Sequence, residues 1–424
     1  MTANVLDFDT VDGSFAQNIS PKGLSHAEVG MKSNFYPWHK PRKHWVRVNQ
    51  WNVSIGKLIY ALKLNASTRP LSYLSLPGPD LLDVRAIQPL CAEADVSLRF
   101  LGLNNIGAHE DDVATEQALS ISEVRALSHI DQSSLVVPDK FEHIANTKSI
   151  AYSRVIKDRS SFDIVNIDLC CSFAETKPDE TAPDYYNALF KLLRHQAETR
   201  ADDWLFFLTT RNNQDMVHPE TIKIFIDSIN KLLAEDSELK QTLISKSIYF
   251  EDVFINGMID RNKLDPKSFA NSFLLGVGNW IVDALLDHNP KWKVHTLPAF
   301  GYHVAEQSPD CDMMSLGFYC TRVSETAIDQ HGLAGVSLNS SVQTLKQVSK
   351  GCIDKLIGRI ENQTDIDIKL CENNDLYQQS LDGSANLLRT ARYHEGAYRD
   401  WAALENQKLI KFLTECGLVV TLPK

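Results

Sequence analysis

Hydrophobic residues recur along this chain in short runs, separated by polar turns and by longer stretches with helical spacing. Runs bounded by turn residues predict buried strands at LSYLSL (71–76), SLRFLGLN (97–104), FDIVNIDLC (162–170) and DWLFFLTTR (203–211). Between them, stretches such as PDYYNALFKLLRHQAET (183–199) have the apolar spacing of amphipathic helices. Strands that alternate with helices form parallel βαβ units. We therefore predict an α/β fold with a doubly wound, mostly parallel, Rossmann-like sheet.

The end of the chain departs from this alternation. WKVHTLPAFGYHV (292–304) and MMSLGFYCTRV (313–323) predict a C-terminal antiparallel strand pair, and the later residues predict an extra helical region. The predicted organisation has four parts: an irregular N-terminal arm (1–30), a basic aromatic segment with a lead-in helix (31–69), the α/β domain (70–325) and a helical C-terminal region (326–424). One predicted helix, DLLDVRAIQPLCAEADV, contains Pro89, which should bend or end it.

Composition narrows the class of protein. The 424 residues carry a net charge of −11, which argues against a protein that coats nucleic acid with its whole surface. No run of eighteen apolar residues predicts a membrane helix, and the first residues carry acids without the apolar run of a secretory signal. Eight scattered cysteines without a CxxC pair fit neither a disulfide framework nor a zinc signature. The expectation is a cytoplasmic protein without a membrane.

One segment is basic despite this charge. Residues 31–51, MKSNFYPWHKPRKHWVRVNQW, hold five Lys or Arg, two His and five aromatic residues, but no acid. Pro37 and Pro41 predict an extended loop. Cations neutralise phosphates and aromatic rings stack on bases, so residues 35–51 are candidates for nucleic-acid or phosphate contact. The side chains concerned are Trp38, His39, Lys40, Arg42, Lys43 and Arg47. The alternative is that Trp45 and Trp51 pack on the core while the cations are solvated or pair with acids.

The ordered series of five strands and a final antiparallel pair resembles the class I S-adenosylmethionine-dependent methyltransferase superfamily over roughly residues 70–325. In that family an acidic, glycine-rich loop after the first strand receives the methionine part of the cofactor. The matching segment YLSLPGPDLLDVRAI (73–87) keeps one glycine and has a serine where the acid is expected. After the second strand, two asparagines replace the acid that binds the ribose. The resemblance implies S-adenosylmethionine as cofactor, held by Ser75, Pro77, Gly78, Asp80, Asn104 and Asn105.

The same resemblance directs attention to Asp168, at the carboxyl end of the strand in VNIDLCCSF (165–173). Ligands of open α/β sheets bind at that edge. Amino-methyltransferases carry an acid or amide followed by two prolines there, and this chain carries over only the acid. Asp168 is therefore the candidate catalytic residue, as general base or substrate anchor. The alternative is a strand-end residue that caps a neighbouring loop.

Other binding classes are less well supported. The sequence has neither a GxGxxG between a strand and a helix nor a GxxxxGK[ST] phosphate loop. His295 and His303 lack a third ligand at metal spacing, so no metal site is expected. Two hypotheses remain. The chain is a divergent methyltransferase-like protein that acts on, or docks to, nucleic acid or a nucleotide-bearing partner. Alternatively, it is a catalytically inactive subunit or scaffold, with protein partners, in a bacterial antiviral defence system.

Overall fold

A computed structural model describes residues 31–105, 111–158, 161–176, 184–305, 308–323 and 344–418. Its centre is a nine-stranded sheet in the order β11-β9-β10-β5-β4-β1-β2-β3, with β8 also paired to β10. The strands are β1 (Leu71–Ser75), β2 (Leu98–Leu103), β3 (Leu135–Val137), β4 (Ile164–Asp168), β5 (Trp204–Arg211), β8 (Trp292–Thr296), β9 (Phe300–Tyr302), β10 (Met313–Arg322) and β11 (Thr364–Asp365), and a separate two-stranded pair is β6 (Phe254–Ile255) with β7 (Met258–Ile259).

The five strands β1 to β5 pair in parallel, and β10 runs antiparallel to β5, β8 and β9. This arrangement confirms the predicted α/β class, the mostly parallel sheet and the antiparallel strands that follow it. It is also the series of strands that carried the resemblance to methyltransferases. Because β1 to β4 are parallel, their carboxyl ends meet at one edge of the sheet, where ligands of such sheets bind.

Helices cover the sheet. They are α1 (Pro41–Val46), α2 (Val53–Ala61), α3 (Leu82–Glu93), α4 (Asp111–Arg125), α5 (Ile150–Tyr152), α6 (Tyr185–Thr199), α7 (Pro219–Glu235), α8 (Leu239–Ser245), α9 (Pro266–Leu286), α10 (Leu345–Glu361), α11 (Ile366–Glu372), α12 (Asn374–Thr390) and α13 (Glu395–Glu415). A π-helical turn (Arg47–Asn52) joins α1 to α2 without a break.

Pro37, Pro41 and Pro89 do not end or exclude helices as the sequence suggested. The basic segment is helical and not extended, because Pro37 and Pro41 each occupy the first position of a helical turn. A proline is tolerated there, since the first N–H groups of a helix have no partner within it. Pro89 does not end its helix either, because α3 continues to Glu93. Val84, Ile87 and Cys91 are fully buried at helical spacing, and this packing holds α3 together around the proline.

The C-terminal region contributes to the sheet and to its cover. β11 pairs in parallel with β9 at the edge of the sheet. α12 packs so closely on α1 that a Cβ at Gly383 would lie 2.3 Å from the Nε2 of His44. Residues 1–30, predicted as an irregular arm, lie outside the described residues, and the predicted domain boundaries stay predictions.

Helix α9 lies in the largest hydrophobic cluster of the protein. Among the described residues it is the one helix long and apolar enough to cross a membrane, and 83% of its apolar window is buried within the protein. Two glycines let neighbouring helices approach it. A Cβ at Gly276 would lie 2.3 Å from the Cβ of Phe225 in α7, and a Cβ at Gly278 would lie 2.4 Å from Leu356 in α10.

We predict that Gly276→Ala destabilises the protein, because the added methyl overlaps Phe225 and forces α7 away from α9. The expected loss in the free energy of unfolding is about 1–3 kcal/mol, measured by urea denaturation. Gly351→Ala is the matched control, since nothing lies within 4 Å of a Cβ at that helical glycine. It should raise stability by about 0.5–1 kcal/mol through helix propensity. Equal effects of the two substitutions would contradict the prediction.

Candidate functional site

A pocket of about 640 Å³ opens at the carboxyl ends of β1, β2, β3 and β4. The basic segment supplies its opposite wall through Trp38, Lys43 and Arg47. The pocket therefore joins two groups of residues that the sequence analysis had treated separately. From the predicted cofactor and catalytic residues it takes Pro77, Gly78, Asp80, Asn104, Asn105 and Asp168.

The loop after β1 forms an open side of this pocket. Nothing lies within 4 Å of a Cβ built on Gly78. The side chain of Asn104 donates a hydrogen bond to the carbonyl of Pro77 at 2.6 Å, which ties the ends of β1 and β2 together. Asp80 is 4% exposed and pairs with Lys32. Ser75 is buried within β1 and does not line the pocket, so its geometry does not support the predicted cofactor contact from Ser75.

Asp168 stands at the end of β4 and is paired with the basic segment. The Nζ of Lys43 donates to its Oδ1 at 2.5 Å and to the hydroxyl of Tyr302 at 3.3 Å. The same ammonium lies 5.0 Å from the ring centroid of Trp51. Burial alone would lower the pKa of Lys43, but the charge of Asp168, Tyr302 and the hydrogen bond to Asp168 together outweigh it, so the pKa is raised. The carboxylate of Asp168, the candidate general base, is thus neutralised by an ion pair with a buried lysine.

His39, Lys40 and Arg42 of the basic segment are buried as well. Arg42 donates to Asp367 at 2.7 Å, and Lys40 lies 2.8 Å from Glu405. Burial, with Arg47 and Lys32 nearby, lowers the pKa of His39 to about 3. These three residues are 9% exposed or less. The structure therefore gives the segment the packing and ion pairs of the alternative interpretation. Contact with nucleic acid through residues 35–51 stays a prediction, and of its six side chains only Trp38 is not classed as buried.

Several pocket residues were missed by the sequence analysis. Asp139 lies two residues after the end of β3, and the strand-end rule that supported Asp168 would also have directed attention to it. It accepts hydrogen bonds from the backbone N–H of Ala151 and of Lys140. Phe141 and Tyr185 line the same end of the pocket with rings 6.2 Å apart. Tyr185 lies in α6, far along the chain, and no local pattern places it there.

His303 has more potential metal ligands around it than the sequence spacing indicated. His303 was expected to lack a third metal ligand, but Cys311 and Asp365 place ligand atoms within 4.8 Å of it and of each other, a group that could hold a metal ion. His303 is also 3.3 Å from Asp367. Burial would lower the pKa of His303, but the hydrogen bond to Asp367 and the charge of Asp365 raise it to about 8. Arg42 and protonated His303 thus lie beside the carboxylates of Asp365 and Asp367 and balance their charge. The expectation of no metal site stays untested.

Comparisons with known proteins support a family but not an activity. A family model described as PP_RS20740-like matches residues 32–403, a range that contains the whole pocket. No curated protein matches the chain. Solved structures share little sequence with it. An rRNA-methylase structure from Clostridium thermocellum is 8% identical, with a TM-score of 0.26, and the match covers 64% of this chain and 96% of that one.

Two further structures give the same result. A sarcosine dimethylglycine methyltransferase structure from Galdieria sulphuraria is 14% identical, with a TM-score of 0.26, over 66% of this chain and 85% of the other. A class I S-adenosylmethionine-dependent methyltransferase structure from Listeria monocytogenes is 11% identical, with a TM-score of 0.30, over 74% and 70%. Scores this low carry no argument, so the fold rests on the strand order described above.

We predict that Asp168→Asn destabilises the protein by about 3–5 kcal/mol, because it leaves the buried charge of Lys43 without a carboxylate. Lys43→Met should cost less, since the carboxylate of Asp168 is 25% exposed and can be hydrated. Urea denaturation of the single and double variants measures the coupling. Arg194→Gln, in an ion pair with Glu198 that is about half exposed, is the control and should change stability by less than about 1 kcal/mol. Additive effects of the first two substitutions would contradict this role.

A second prediction concerns pH. Burial lowers the folded-state pKa of His39 to about 3 and of His44 to about 4, below the ordinary value of 6.5. Between pH 6.5 and 4 the unfolded chain therefore binds more protons, and the free energy of unfolding falls as the pH falls. Urea midpoints at pH 7, 5.5 and 4.5 should show this slope. The double variant His39→Gln/His44→Gln should flatten it, and an unchanged slope would contradict the assignment.

Proposed function

The chain belongs to the PP_RS20740-like family, and we propose that it is a methyltransferase-like protein that binds S-adenosylmethionine at the carboxyl ends of β1, β2 and β3. The observation that carries the proposal is the pocket lining, which brings Gly78, Asn104 and Asn105 together at the strand ends. A side chain at Gly78 would occupy the space that the resemblance assigns to the methionine part of the cofactor.

The residues around this opening fit a nucleoside ligand. Asn105 lies at the end of β2 and offers amide groups to the ribose hydroxyls. Asn104 is less free for this role, because its amide already donates to Pro77. Asp139 and Phe141, at the end of β3, offer a carboxylate and an aromatic face for a base. The cofactor would supply an activated methyl group.

In this proposal Asp168 positions the acceptor. Its Oδ1 now accepts a hydrogen bond from Lys43. An acceptor that presents an N–H or O–H to the same oxygen would replace the ammonium of Lys43. The carboxylate would then orient the lone pair of the acceptor atom and take up the proton that the acceptor loses. Lys43 would keep the oxygen neutralised until the acceptor arrives.

The acceptor that we favour is nucleotide-sized. Tyr36 and Trp38 stack with their rings 4.7 Å apart, and Tyr36 is 44% exposed. Trp38 lines the pocket, so this pair offers an aromatic face to a base at its wall. Lys40 and Arg42, by contrast, are buried and paired, and the phosphates of a long nucleic acid would not reach them.

A catalytically inactive scaffold is the second candidate. Two observations favour it. The ion pair with Lys43 neutralises the candidate base Asp168, and Ser75 stands where class I methyltransferases have an acid. In that case the fold would serve a protein complex, such as a bacterial antiviral defence system, and the cytoplasmic setting would be common to both candidates.

We predict that S-adenosylhomocysteine binds the full chain at micromolar concentration, as measured by isothermal titration calorimetry. Gly78→Val should weaken binding at least tenfold, because its side chain enters the open side of the pocket without displacing protein atoms. Gly351→Val is the matched control, since that glycine also has nothing within 4 Å but lies in α10, away from the pocket. Absence of binding to the wild-type protein at millimolar ligand would reject the proposal and support the scaffold.

A further inference from the structure

Arg47 is a buried cation in the pocket wall that lacks a carboxylate in contact. Its side chain is 4% exposed and lines the pocket. The Nη2 donates to the carbonyl of Trp38 at 3.3 Å, and the Nε has no hydrogen-bond partner. Among the described residues, no Asp or Glu oxygen lies within 4.0 Å of the guanidinium nitrogens of Arg47, which is the distance limit of an ion pair.

Arg42, in the same segment, is a buried arginine that does have a carboxylate partner. It lies five positions earlier, is 3% exposed and donates to Asp367 at 2.7 Å. A buried charge normally has such a partner, because the loss of hydration must be offset by an opposite charge or by strong hydrogen bonds. Arg47 departs from this rule, and its side chain faces a pocket.

Asp168 and Asp83 are the carboxylates whose charges act most strongly on Arg47, but neither contacts it. Asp168 is occupied by Lys43. Asp83 accepts a hydrogen bond from the hydroxyl of Tyr73, and burial raises the pKa of Asp83 and so favours its neutral form. Burial likewise lowers the pKa of the Arg47 guanidinium, although arginine stays protonated in proteins. The guanidinium of Arg47 thus lines the pocket without a carboxylate in contact with it.

The contacts of Lys43 mark one side of the pocket. Lys43, one helical turn from Arg47, contacts Asp168 on β4 and Tyr302 on β9. The residues proposed for the cofactor follow β1, β2 and β3, on the opposite side of β4 in the sheet order. Neighbouring strands are about 4.8 Å apart, so the ends of β2 and β4 are separated by about 10 Å. Two ligand groups fit at these separate positions.

We propose that Arg47 and Lys43 form a subsite for an anionic group of the acceptor, a phosphate or a carboxylate, beside the cofactor. The inference rests on the proposed function, because it takes the space over β1 to β3 as the cofactor's. The planar guanidinium has donors in the fork geometry that suits both anions. An anion there would offset the charge of the guanidinium and would compete with Asp168 for Lys43, which frees the carboxylate for the acceptor.

The test uses inorganic phosphate and the full chain. Thermal unfolding and calorimetry are recorded against phosphate, with sodium chloride at equal ionic strength as the reference. We expect phosphate to raise the Tm of the wild-type protein. Arg47→Gln should weaken phosphate binding at least tenfold while leaving the ligand-free Tm unchanged or higher, because it removes a buried charge without a partner. Arg47→Met serves as a second variant with the same expectation.

Arg42→Gln is the matched control. It should lower the ligand-free Tm, because it leaves Asp367 without its partner, and it should keep the phosphate response. If it does not fold, Arg194→Gln on the surface of α6 replaces it. The proposal is overturned if phosphate leaves the wild-type Tm unchanged, if Arg47→Gln responds to phosphate like the wild-type protein, or if Arg47→Gln lowers the ligand-free Tm as a structural arginine would.

A competition experiment separates the subsite from the cofactor site. The affinity of the wild-type protein for S-adenosylhomocysteine should be the same with and without saturating phosphate. Competition between the two would overturn the proposal, because the guanidinium would then belong to the cofactor's own site. Phosphate binding without S-adenosylhomocysteine binding would support the anion subsite and reject the proposed cofactor, so the two failures are distinguishable.

Discussion

The burial of a cationic segment against the carboxyl edge of the sheet is the constraint on which this structure depends. Lysine and arginine lose hydration when they are buried, so each needs an acid nearby. Lys43 finds Asp168 on β4, Arg42 finds Asp367 in α11, and Lys40 finds Glu405 in α13. One short segment therefore joins the sheet to C-terminal helices. A protein with a net charge of −11 has the carboxylates that this arrangement requires.

The same constraint shapes the pocket. Because the segment lies across the strand ends, it forms a wall opposite the loops that follow β1, β2 and β3. The side toward these loops carries Gly78, Asn105 and Asp139. The side toward β4 holds Asp168, Lys43 and Arg47, so acidic and basic groups compete there within a low dielectric. A ligand that changes the partner of one of them changes the partners of the others.

The class of fold and part of the site could be predicted from local patterns. Strand period and turn residues located β1, β2, β4, β5 and the final antiparallel strands, since these strands are buried on both faces and read as apolar runs. The resemblance to methyltransferases selected Gly78 and Asn105, and the rule that ligands bind at strand ends supported Asp168; all three line the pocket. The prolines were misread, because the same residue that ends a helix also begins one well.

The sequence by itself determined the sheet, its edge and the unusual concentration of cations before it, because periodicity and charge are properties of neighbouring residues. Only the tertiary structure decided what those cations do. Asp367 and Glu405 lie more than 300 positions from Arg42 and Lys40, and no local pattern links them. Whether a cation is solvated, paired or left facing a pocket depends on which distant carboxylate packs against it. For Arg47 no carboxylate among the described residues does so within 4.0 Å, and that makes it the candidate for an external anion.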